Sequence, residues 1–336
     1  MIDPAFPLID LHRHLEGCVR LKTMLELADE HGLPLPGRTV EALTPHVVID
    51  GPLGELVEFL NKLHWMISVL TDTAACRRIA YESVADAAGE GIDYLELRFS
   101  PRFMAQPHGL RPEAVVEAVI DGVRAGARDH GVTVQLIGIL SRTFGPEACR
   151  EELEALLAHR SAIRALDLAG DEARWPGELF AEHFKRGREA GWQITVHAGE
   201  AGSAHNVRYA IEELGATRIG HGIRAVDDPA LLDLIRERGI GLEVNLTSNL
   251  QTNTVPSLAA HPLAFFLDQG LLASINTDDP VISGIDLAYE FDVAAPGAGI
   301  TPRLARRAQE NALATAFLTP TERAELLRRT KEEKSA

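Results

Sequence analysis

Short apolar, β-branched runs alternate along the chain with stretches whose apolar residues recur at helical spacing. The runs predict eight strands, near 7–12, 93–99, 132–140, 163–168, 193–197, 217–221, 240–246 and 272–277. Helical periodicity predicts helices between them, over Pro112 to Arg128, Pro146 to Ala158, Gly177 to Ala190, Asn206 to Leu214 and Pro229 to Arg238. Strands that alternate with helices pair in parallel through right-handed crossovers. Eight such units predict an α/β fold, a closed (β/α)8 TIM barrel.

The interval between the first two predicted strands spans about 80 residues, which is much longer than one crossover requires. Its periodicity predicts extra helices at roughly 21–31, 55–70 and 73–90. An insertion at the top of a barrel commonly forms a lid over a ligand. Beyond the eighth strand, Thr301-Pro302 and Thr319-Pro320-Thr321-Glu322 mark the starts of two further helices.

Composition fits one large globular unit. The chain has 336 residues, of which 46% are hydrophobic, and no break in composition divides it, so we expect a single domain over 1–336. The first residues lack the pattern of a signal peptide, and no apolar stretch approaches the roughly 18 residues of a membrane span. Cys18, Cys76 and Cys149 are widely separated, as expected of reduced thiols. These features predict a soluble, cytoplasmic protein.

The charge balance narrows the class of partner. A formal net charge of −16 is unfavourable for binding phosphate backbones, which proteins contact with clustered Lys and Arg. The chain also lacks the glycine-rich loops that bind nucleoside triphosphates or dinucleotides. We therefore expect a neutral small molecule as the partner, with no nucleic acid and no membrane, and the sequence leaves the oligomeric state open.

Metal-capable side chains stand where predicted strands end. His12 and His14 are two residues apart, and alternate residues of a strand project from the same face. Taken singly, the later histidines are also compatible with hydrogen-bonded core residues, and the paired aspartates with a turn. Because the carboxyl ends of barrel strands meet at one mouth, the set together predicts a metal site: His12, His14, His197, His221, Asp278 and Asp279.

Three imidazoles and one carboxylate are ligands that suit zinc. We assign His12, His14, His197 and Asp278 to one zinc ion per chain. Zinc lowers the pKa of a bound water from about 9 towards about 7, which makes hydroxide available at neutral pH.

The remaining polar residues have candidate roles in proton transfer. Glu200 lies three residues beyond His197, across a glycine, where it can act as a general acid; the alternative is a helix N-cap. His221 is placed to orient or deprotonate the water, and its alternatives are a fifth metal ligand or a core histidine. Asp279 remains to hydrogen-bond the substrate.

Seven segments, in order, resemble the successive motifs of the adenosine deaminase family, and the similarity covers about residues 5–330. The segments are His12-Arg13-His14-Leu15-Glu16-Gly17, Tyr94-Leu95-Glu96-Leu97-Arg98-Phe99-Ser100-Pro101, Leu166-Asp167-Leu168-Ala169-Gly170-Asp171-Glu172, His197-Ala198-Gly199-Glu200, Ile219-Gly220-His221-Gly222, Leu246-Thr247-Ser248-Asn249 and Asn276-Thr277-Asp278-Asp279-Pro280.

The resemblance implies a zinc-dependent amidohydrolase that converts adenosine, and usually 2′-deoxyadenosine, to the inosine product with release of ammonia. It implies that zinc hydroxide attacks purine C6 while protonated Glu200 donates to N1. His221 and Asp278 would hold the hydroxide, Asp279 would contact N7, and the backbone amide of Gly170 would contact N3.

Glu16 departs from the family pattern, which usually has Asp at this position in contact with the ribose 5′-hydroxyl. We therefore place Glu16, with His14, among the substrate-binding residues. Adenine deaminases of the superfamily often have Glu here, and some relatives act on 5′-modified nucleosides such as aminodeoxyfutalosine, so both substrates stay as alternatives. Against adenine, the segment Leu168-Ala169-Gly170-Asp171-Glu172 looks like the adenosine-specific form.

Other functions fit less well. A binuclear amidohydrolase would carry a modified Lys at the end of the fourth strand, where this chain has Asp167-Leu168-Ala169-Gly170. A metal-binding protein without activity would be favoured if Glu200 or His221 were absent, and both are present. The small zinc deaminases of nucleobases are excluded because their Pro-Cys-x-x-Cys motif is missing.

Overall fold

Eight parallel strands form one sheet whose spatial order is the order along the chain. The computed structural model describes residues 1–53 and 56–333. The strands are β1 (Ile9–His14), β2 (Tyr94–Phe99), β3 (Thr133–Ser141), β4 (Ala165–Ala169), β5 (Gln193–Ala198), β6 (Arg218–His221), β7 (Gly241–Val244) and β8 (Leu272–Ile275). All eight lie within three residues of the predicted positions.

The sheet closes on itself next to the predicted metal ligands. A parallel bridge joins Arg13 to Asp278, just beyond the end of β8. In that bridge the His14 N–H donates to the Asp278 carbonyl at 2.8 Å, and the Asp278 N–H donates to the His12 carbonyl at 2.8 Å. This closure confirms the prediction of a (β/α)8 TIM barrel.

Helices separate the strands, as the periodicity predicts, although some begin or end in tighter or wider turns. The helices between β2 and β8 are Pro101–Ala105, Pro112–His130, Gly145–Ala158, Ala181–Glu189, Ala204–Tyr209, Pro229–Arg238, Leu246–Gln251 and Leu263–Asp268. The predicted helix at 177–190 starts as the 3-10 turn Gly177–Phe180, and the one at 206–214 continues into the π-helical segment Ala210–Leu214. The predicted end of the seventh strand was wrong, because Leu246 already belongs to a helix.

The described residues of the insertion between β1 and β2 form four helices rather than the three predicted. They are Leu21–His31, Val40–Val47, Leu56–Ile67 and Thr73–Gly89. The second was missed because it is short and contains Pro45, which ordinarily breaks a helix. Thr39 caps its first turn by accepting a hydrogen bond from the Ala42 N–H. The predicted start of the third helix, at residue 55, lies outside the described residues.

After β8 the chain forms the short helices Pro280–Ser283, Leu287–Tyr289 and Ala295–Gly297, the π-helical segment Glu290–Ala294, and two longer helices, Pro302–Thr315 and Pro320–Glu333. The two longer helices confirm the capping signals, since Thr301 accepts from the Leu304 N–H and Thr319 accepts from the Glu322 N–H. Within the described part of the chain, no helix is long and apolar enough to cross a membrane.

The interior of the barrel contains charged residues among its apolar ones. Five are almost fully buried: Glu96, Arg98, Asp167, Arg218 and Glu243. Arg98 donates to Asp167 at 2.8 Å and to Glu243 at 2.6 Å, while Arg218 donates to Glu243 at 2.5 Å and also pairs with Glu96. Buried charges need such partners, because an unpaired ion inside a protein is very unfavourable. This buried ionic network lies directly beneath the mouth of the barrel.

Candidate active site

Three histidines and one aspartate meet at the mouth of the barrel. The Nε2 atoms of His12, His14 and His197 lie 3.1 to 3.3 Å apart, and Asp278 Oδ1 is 3.3 Å from Nε2 of both His12 and His14. Four ligands arranged tetrahedrally at zinc–nitrogen distances are separated by about 3.3 Å. The spacing of these four residues, which the sequence predicts as ligands, is therefore compatible with one shared metal ion.

His221 lies beside this cluster as well. One ligand atom from each of His12, His197, His221 and Asp278 falls within 4.8 Å of the others. This set shares three members with the predicted one and has His221 in place of His14. The His221 Nε2 atom is 3.7 Å from Asp278 Oδ2, farther than the contacts that His14 makes. The tighter set is the one that contains His14.

Carboxylates beneath the cluster orient two of the imidazoles. His12 Nδ1 lies 2.7 Å from Glu243 Oε2, and His197 Nδ1 lies 2.9 Å from Asp167 Oδ2. A carboxylate at Nδ1 holds the ring hydrogen there, so the Nε2 lone pair faces the cluster. Burial alone would raise the pKa of Glu243, but the Arg98 and Arg218 guanidiniums hold it well below its usual range.

The backbone conformation also places the site residues. His221 and Asp278 have φ values of 61° and 63°, in the left-handed region that residues other than glycine rarely adopt. Each follows or ends a strand at the mouth of the barrel, and the turn directs its side chain inward. Gly220 allows the histidines to approach closely, because a Cβ atom there would lie 2.9 Å from His12 Cε1. Strained residues of this kind commonly cluster at functional sites.

Glu200 borders the cluster from the loop after β5. Its Oε2 atom is 3.5 Å from His221 Nε2, and its side chain is partly exposed. Burial, followed by the charges of Asp278 and Glu172, raises the pKa of Glu200 to about 8. This shift favours the protonated carboxyl group, which can donate a proton.

A second carboxylate holds the Glu200 loop in place. Glu172 accepts hydrogen bonds from four successive backbone N–H groups, with donor–acceptor distances of 2.7 to 3.2 Å. The donors are Gly199, Glu200, Ala201 and Gly202. Glu172 is buried, so its two oxygens fix the course of this loop and with it the position of the Glu200 side chain.

Asp278 and Asp279 are adjacent but differ in charge. Burial would raise the pKa of Asp278, yet its contact with His12 and the other neighbouring histidines keep it well below its usual range. Burial and the charge of Asp278 raise the pKa of Asp279 well above its usual range. One carboxyl is thus an anion suited to a cation, and the other a neutral hydrogen-bond donor.

Glu16 lies in the 3-10 turn that follows β1 and is buried. Its Oε1 atom accepts a hydrogen bond from the Ser100 N–H at 2.5 Å, whereas Oε2 has no protein partner. Burial raises the pKa of Glu16 to about 8. Gly170 directly follows β4 with a φ of 112°, so this residue sits at the same rim.

Sequence reasoning missed the residues that support the site from below. Asp167 lies in one of the seven family-like segments without a predicted role, and Glu243 lies in none of them. The available signal was a charged residue within an otherwise apolar strand, as in the β7 sequence Gly-Leu-Glu-Val. Burying a carboxylate without a partner is costly, so such a residue indicates a buried cation or histidine nearby.

Glu172→Gln should loosen the loop that carries Glu200. A glutamine side chain keeps one acceptor oxygen and turns an N–H₂ group towards backbone donors. Hydrogen bonds to a charged group contribute about 1.5–3 kcal/mol, so amide exchange at 199–202 should accelerate roughly 10- to 150-fold. Hydrogen exchange with mass-spectrometric detection measures this. Asp171→Asn is the matched control, and equal exchange in both variants would contradict the assigned role of Glu172.

Comparison with known proteins agrees with this geometry. The family model described as "Adenosine deaminase" matches residues 7–333. A protein of Edwardsiella ictaluri named adenosine deaminase is 58% identical over 323 residues, covering 96% of this chain and 97% of its own length. An adenosine deaminase of Vibrio parahaemolyticus is 55% identical over 332 residues, covering 99% of both chains.

Solved structures share the fold at lower identity. Adenine deaminase from Arthrobacter aurescens superposes with a TM-score of 0.90 at 26% identity, covering 98% of this chain and 100% of that one. A Burkholderia ambifaria amidohydrolase with bound zinc gives a TM-score of 0.86 at 26% identity, covering 98% of this chain and 91% of that one. With a family match over nearly its whole length and relatives above 50% identity, this chain belongs to the adenosine deaminase family.

Proposed function

We propose that this protein hydrolyses adenosine and 2′-deoxyadenosine to inosine and 2′-deoxyinosine, with release of ammonia. The observation that carries the proposal is the cluster of three imidazoles and a carboxylate, with Glu200 3.5 Å from His221 beside it and Asp279 next to Asp278 in the chain. Relatives that cover nearly the whole chain are named adenosine deaminase, which supports adenosine over the adenine and 5′-modified alternatives.

We assign one zinc ion per chain to His12, His14, His197 and Asp278. The separations of 3.1 to 3.3 Å between their ligand atoms support this set. When bound, zinc lowers the pKa of a water molecule to about 7 and so supplies a nucleophile at neutral pH. No Lys stands at the end of β4, where a second metal ion would need a bridging group.

The chain's own residues prepare the purine for addition of water at C6. Protonated Glu200 donates to N1, which draws electrons from C6 and makes that atom electrophilic. His221 and Asp278 hold the water, and Asp279, as a neutral acid, donates to the N7 acceptor. The Gly170 N–H contacts N3. Glu200, now a carboxylate, then takes the proton of the hydroxyl group added at C6 and passes it to the amino group, so that the C6–N bond breaks, ammonia leaves and the C6 carbonyl forms. The proton released when the water ionises returns Glu200 to its acid form.

His14 and Glu16 complete the substrate site in this proposal. The Oε2 atom of Glu16 has no protein partner, so it is free to exchange a hydrogen bond with the ribose 5′-hydroxyl. Leaving a buried polar group unpaired costs about 1–3 kcal/mol, which favours substrates that carry the ribose.

We also propose that residues 1–336 act as one catalytic domain in the cytoplasm. The family match over 7–333 supports the single domain. Cys18, Cys76 and Cys149 are buried free thiols, which fits a reducing compartment. The partner is a purine nucleoside.

Glu200→Gln should keep the fold and the metal but lose most of kcat. An amide cannot give N1 its proton, and removal of one general acid typically lowers kcat by at least about 10²-fold. Steady-state kinetics with adenosine measure kcat, and metal analysis measures the zinc content. A Gln variant with kcat within a few-fold of the unchanged enzyme would move the proton-donor role to another residue.

The pH dependence of the unchanged enzyme tests the same role. Its kcat/KM should fall as pH rises through the pKa of Glu200, at or below about 8, since a nearby cation lowers that pKa.

An ammonia-release assay tests the substrate directly. Adenosine, 2′-deoxyadenosine, adenine and a 5′-modified adenosine should be compared in parallel, and we expect kcat/KM for adenosine to exceed that for adenine. Glu16→Ala should lower adenosine turnover roughly 5- to 150-fold and adenine turnover less, because only adenosine loses a hydrogen bond.

Glu16→Asp, which restores the usual family residue, is the matched control and should keep the preference for adenosine. If adenine or the 5′-modified nucleoside were the better substrate by tenfold or more, the adenosine assignment would be wrong although the deaminase chemistry would stand.

A further inference from the structure

A buried histidine outside the site, His261, has a fixed hydrogen position. It precedes the helix Leu263–Asp268, and its Nδ1 atom accepts a hydrogen bond from the Leu263 N–H at 3.1 Å. A backbone N–H can only donate, so Nδ1 is unprotonated. Burial lowers the pKa of His261 to about 4, so the ring is neutral and its one N–H is at Nε2.

This N–H fixes the orientation of a buried amide. His261 Nε2 lies 3.2 Å from Asn249 Oδ1, which must therefore accept the hydrogen bond. The amide cannot rotate by half a turn without bringing two donors together. Asn249 Nδ2 consequently points the other way, towards His221, whose Nδ1 atom is 2.9 Å distant.

The chain of hydrogen bonds ends in the active site. An amide N–H₂ group is a donor only, so His221 Nδ1 accepts from Asn249, and a second donor, Asn245 Nδ2, lies 3.4 Å from the same atom. In the neutral ring the hydrogen is then on Nε2, which faces Glu200 Oε2 at 3.5 Å and Asp278 Oδ2 at 3.7 Å.

We propose that His261 and Asn249 are positioning residues that fix His221 in its Nε2–H tautomer, so that His221 acts on the reacting water as a hydrogen-bond donor. His12 and His197 are held the opposite way, with carboxylates at Nδ1 and Nε2 facing the cluster. A nitrogen that carries a hydrogen has no lone pair for a metal or for a proton. The inference thus deepens the proposed function, on which it rests, by choosing between the roles of His221 that the sequence leaves open.

Nitrogen-15 NMR of the zinc-loaded, histidine-labelled enzyme tests the tautomer without substrate. Long-range proton–nitrogen spectra distinguish a protonated ring nitrogen from a bare one, and His221→Gln identifies the His221 signals among those of 13 histidines. We expect Nδ1 of His221 to be bare and Nε2 to be protonated. Asn249→Asp replaces the donor by an acceptor and should protonate Nδ1. A protonated Nδ1 in the unchanged enzyme would overturn the proposal.

Two substitutions at His261 separate positioning from packing. Glutamine places an amide nitrogen near the position of Nε2 and keeps the donor to Asn249, whereas asparagine places its oxygen near Nδ1 and keeps only the contact with Leu263 N–H. We expect His261→Gln to stay within about threefold of the unchanged kcat. His261→Asn should lose about 5- to 10-fold in kcat, the factor that one hydrogen bond contributes, with KM unchanged.

Equal kcat values for the two variants would contradict the inference, since a packing role alone would not discriminate between them. Melting temperatures measured for both show whether either fails to fold; in that case the spectra of the unchanged enzyme and of Asn249→Asp decide the question. Lack of adenosine turnover by the unchanged enzyme would refute the proposed function, whereas the tautomer spectra test only the hydrogen-bond chain.

Discussion

Glu243 is the residue on which the site depends most. Its two buried oxygens contact Arg98 at 2.6 Å, Arg218 at 2.5 Å and His12 Nδ1 at 2.7 Å. Arg98 continues to Asp167, which orients His197. The rings of two predicted ligands are therefore tied through one guanidinium inside the barrel. Because each ion in this network would be strongly unfavourable alone, the network specifies one arrangement, and the imidazoles are oriented before any metal or substrate arrives.

The mouth of the barrel separates its carboxyl groups into two classes. Those near the histidines and arginines, such as Asp278 and Glu243, have depressed pKa values and remain anions. Those facing the space above the cluster have raised pKa values, because burial and neighbouring anions disfavour their charged forms. Glu200, Asp279 and Glu16 belong to this second class. Environments that shift the pKa values of similar groups in opposite directions allow one site to bind a cation and to donate protons at the same pH.

The barrel and the cluster were predictable from the sequence for a simple reason. Strand and helix periodicities differ, so the elements of the barrel can be read from the sequence. Polar residues at strand ends converge once the barrel closes, so His197 and Asp278 could be placed in one site although more than 80 residues separate them in the chain. The helix Val40–Val47 was not predictable, because Pro45 argues against it and only tertiary packing and the Thr39 cap decide its formation. The partners of a buried charge, such as Glu243 for His12, depend on which strand faces stand opposite one another across the barrel. A single sequence does not contain that information.

The same limit applies to Glu172, whose four backbone partners lie about 30 residues further along the chain. It applies also to His261, which is connected to the site through its hydrogen bond with Asn249. Their roles depend on where loops from different strands meet. Residues that supply ligands can thus be found from position and chemistry, whereas residues that orient those ligands emerge only from the three-dimensional arrangement.

The metal content of His14→Ala and His221→Ala, purified in parallel after zinc loading, tests the account most directly. Both imidazoles lie beside the same cluster, but we assign only His14 to the ligand set, and we propose that His221 presents an N–H group to the water. The account predicts one zinc ion per chain in the unchanged protein and in His221→Ala, and at least about tenfold weaker zinc binding in His14→Ala. Retention of zinc by His14→Ala with its loss from His221→Ala would contradict the assignment.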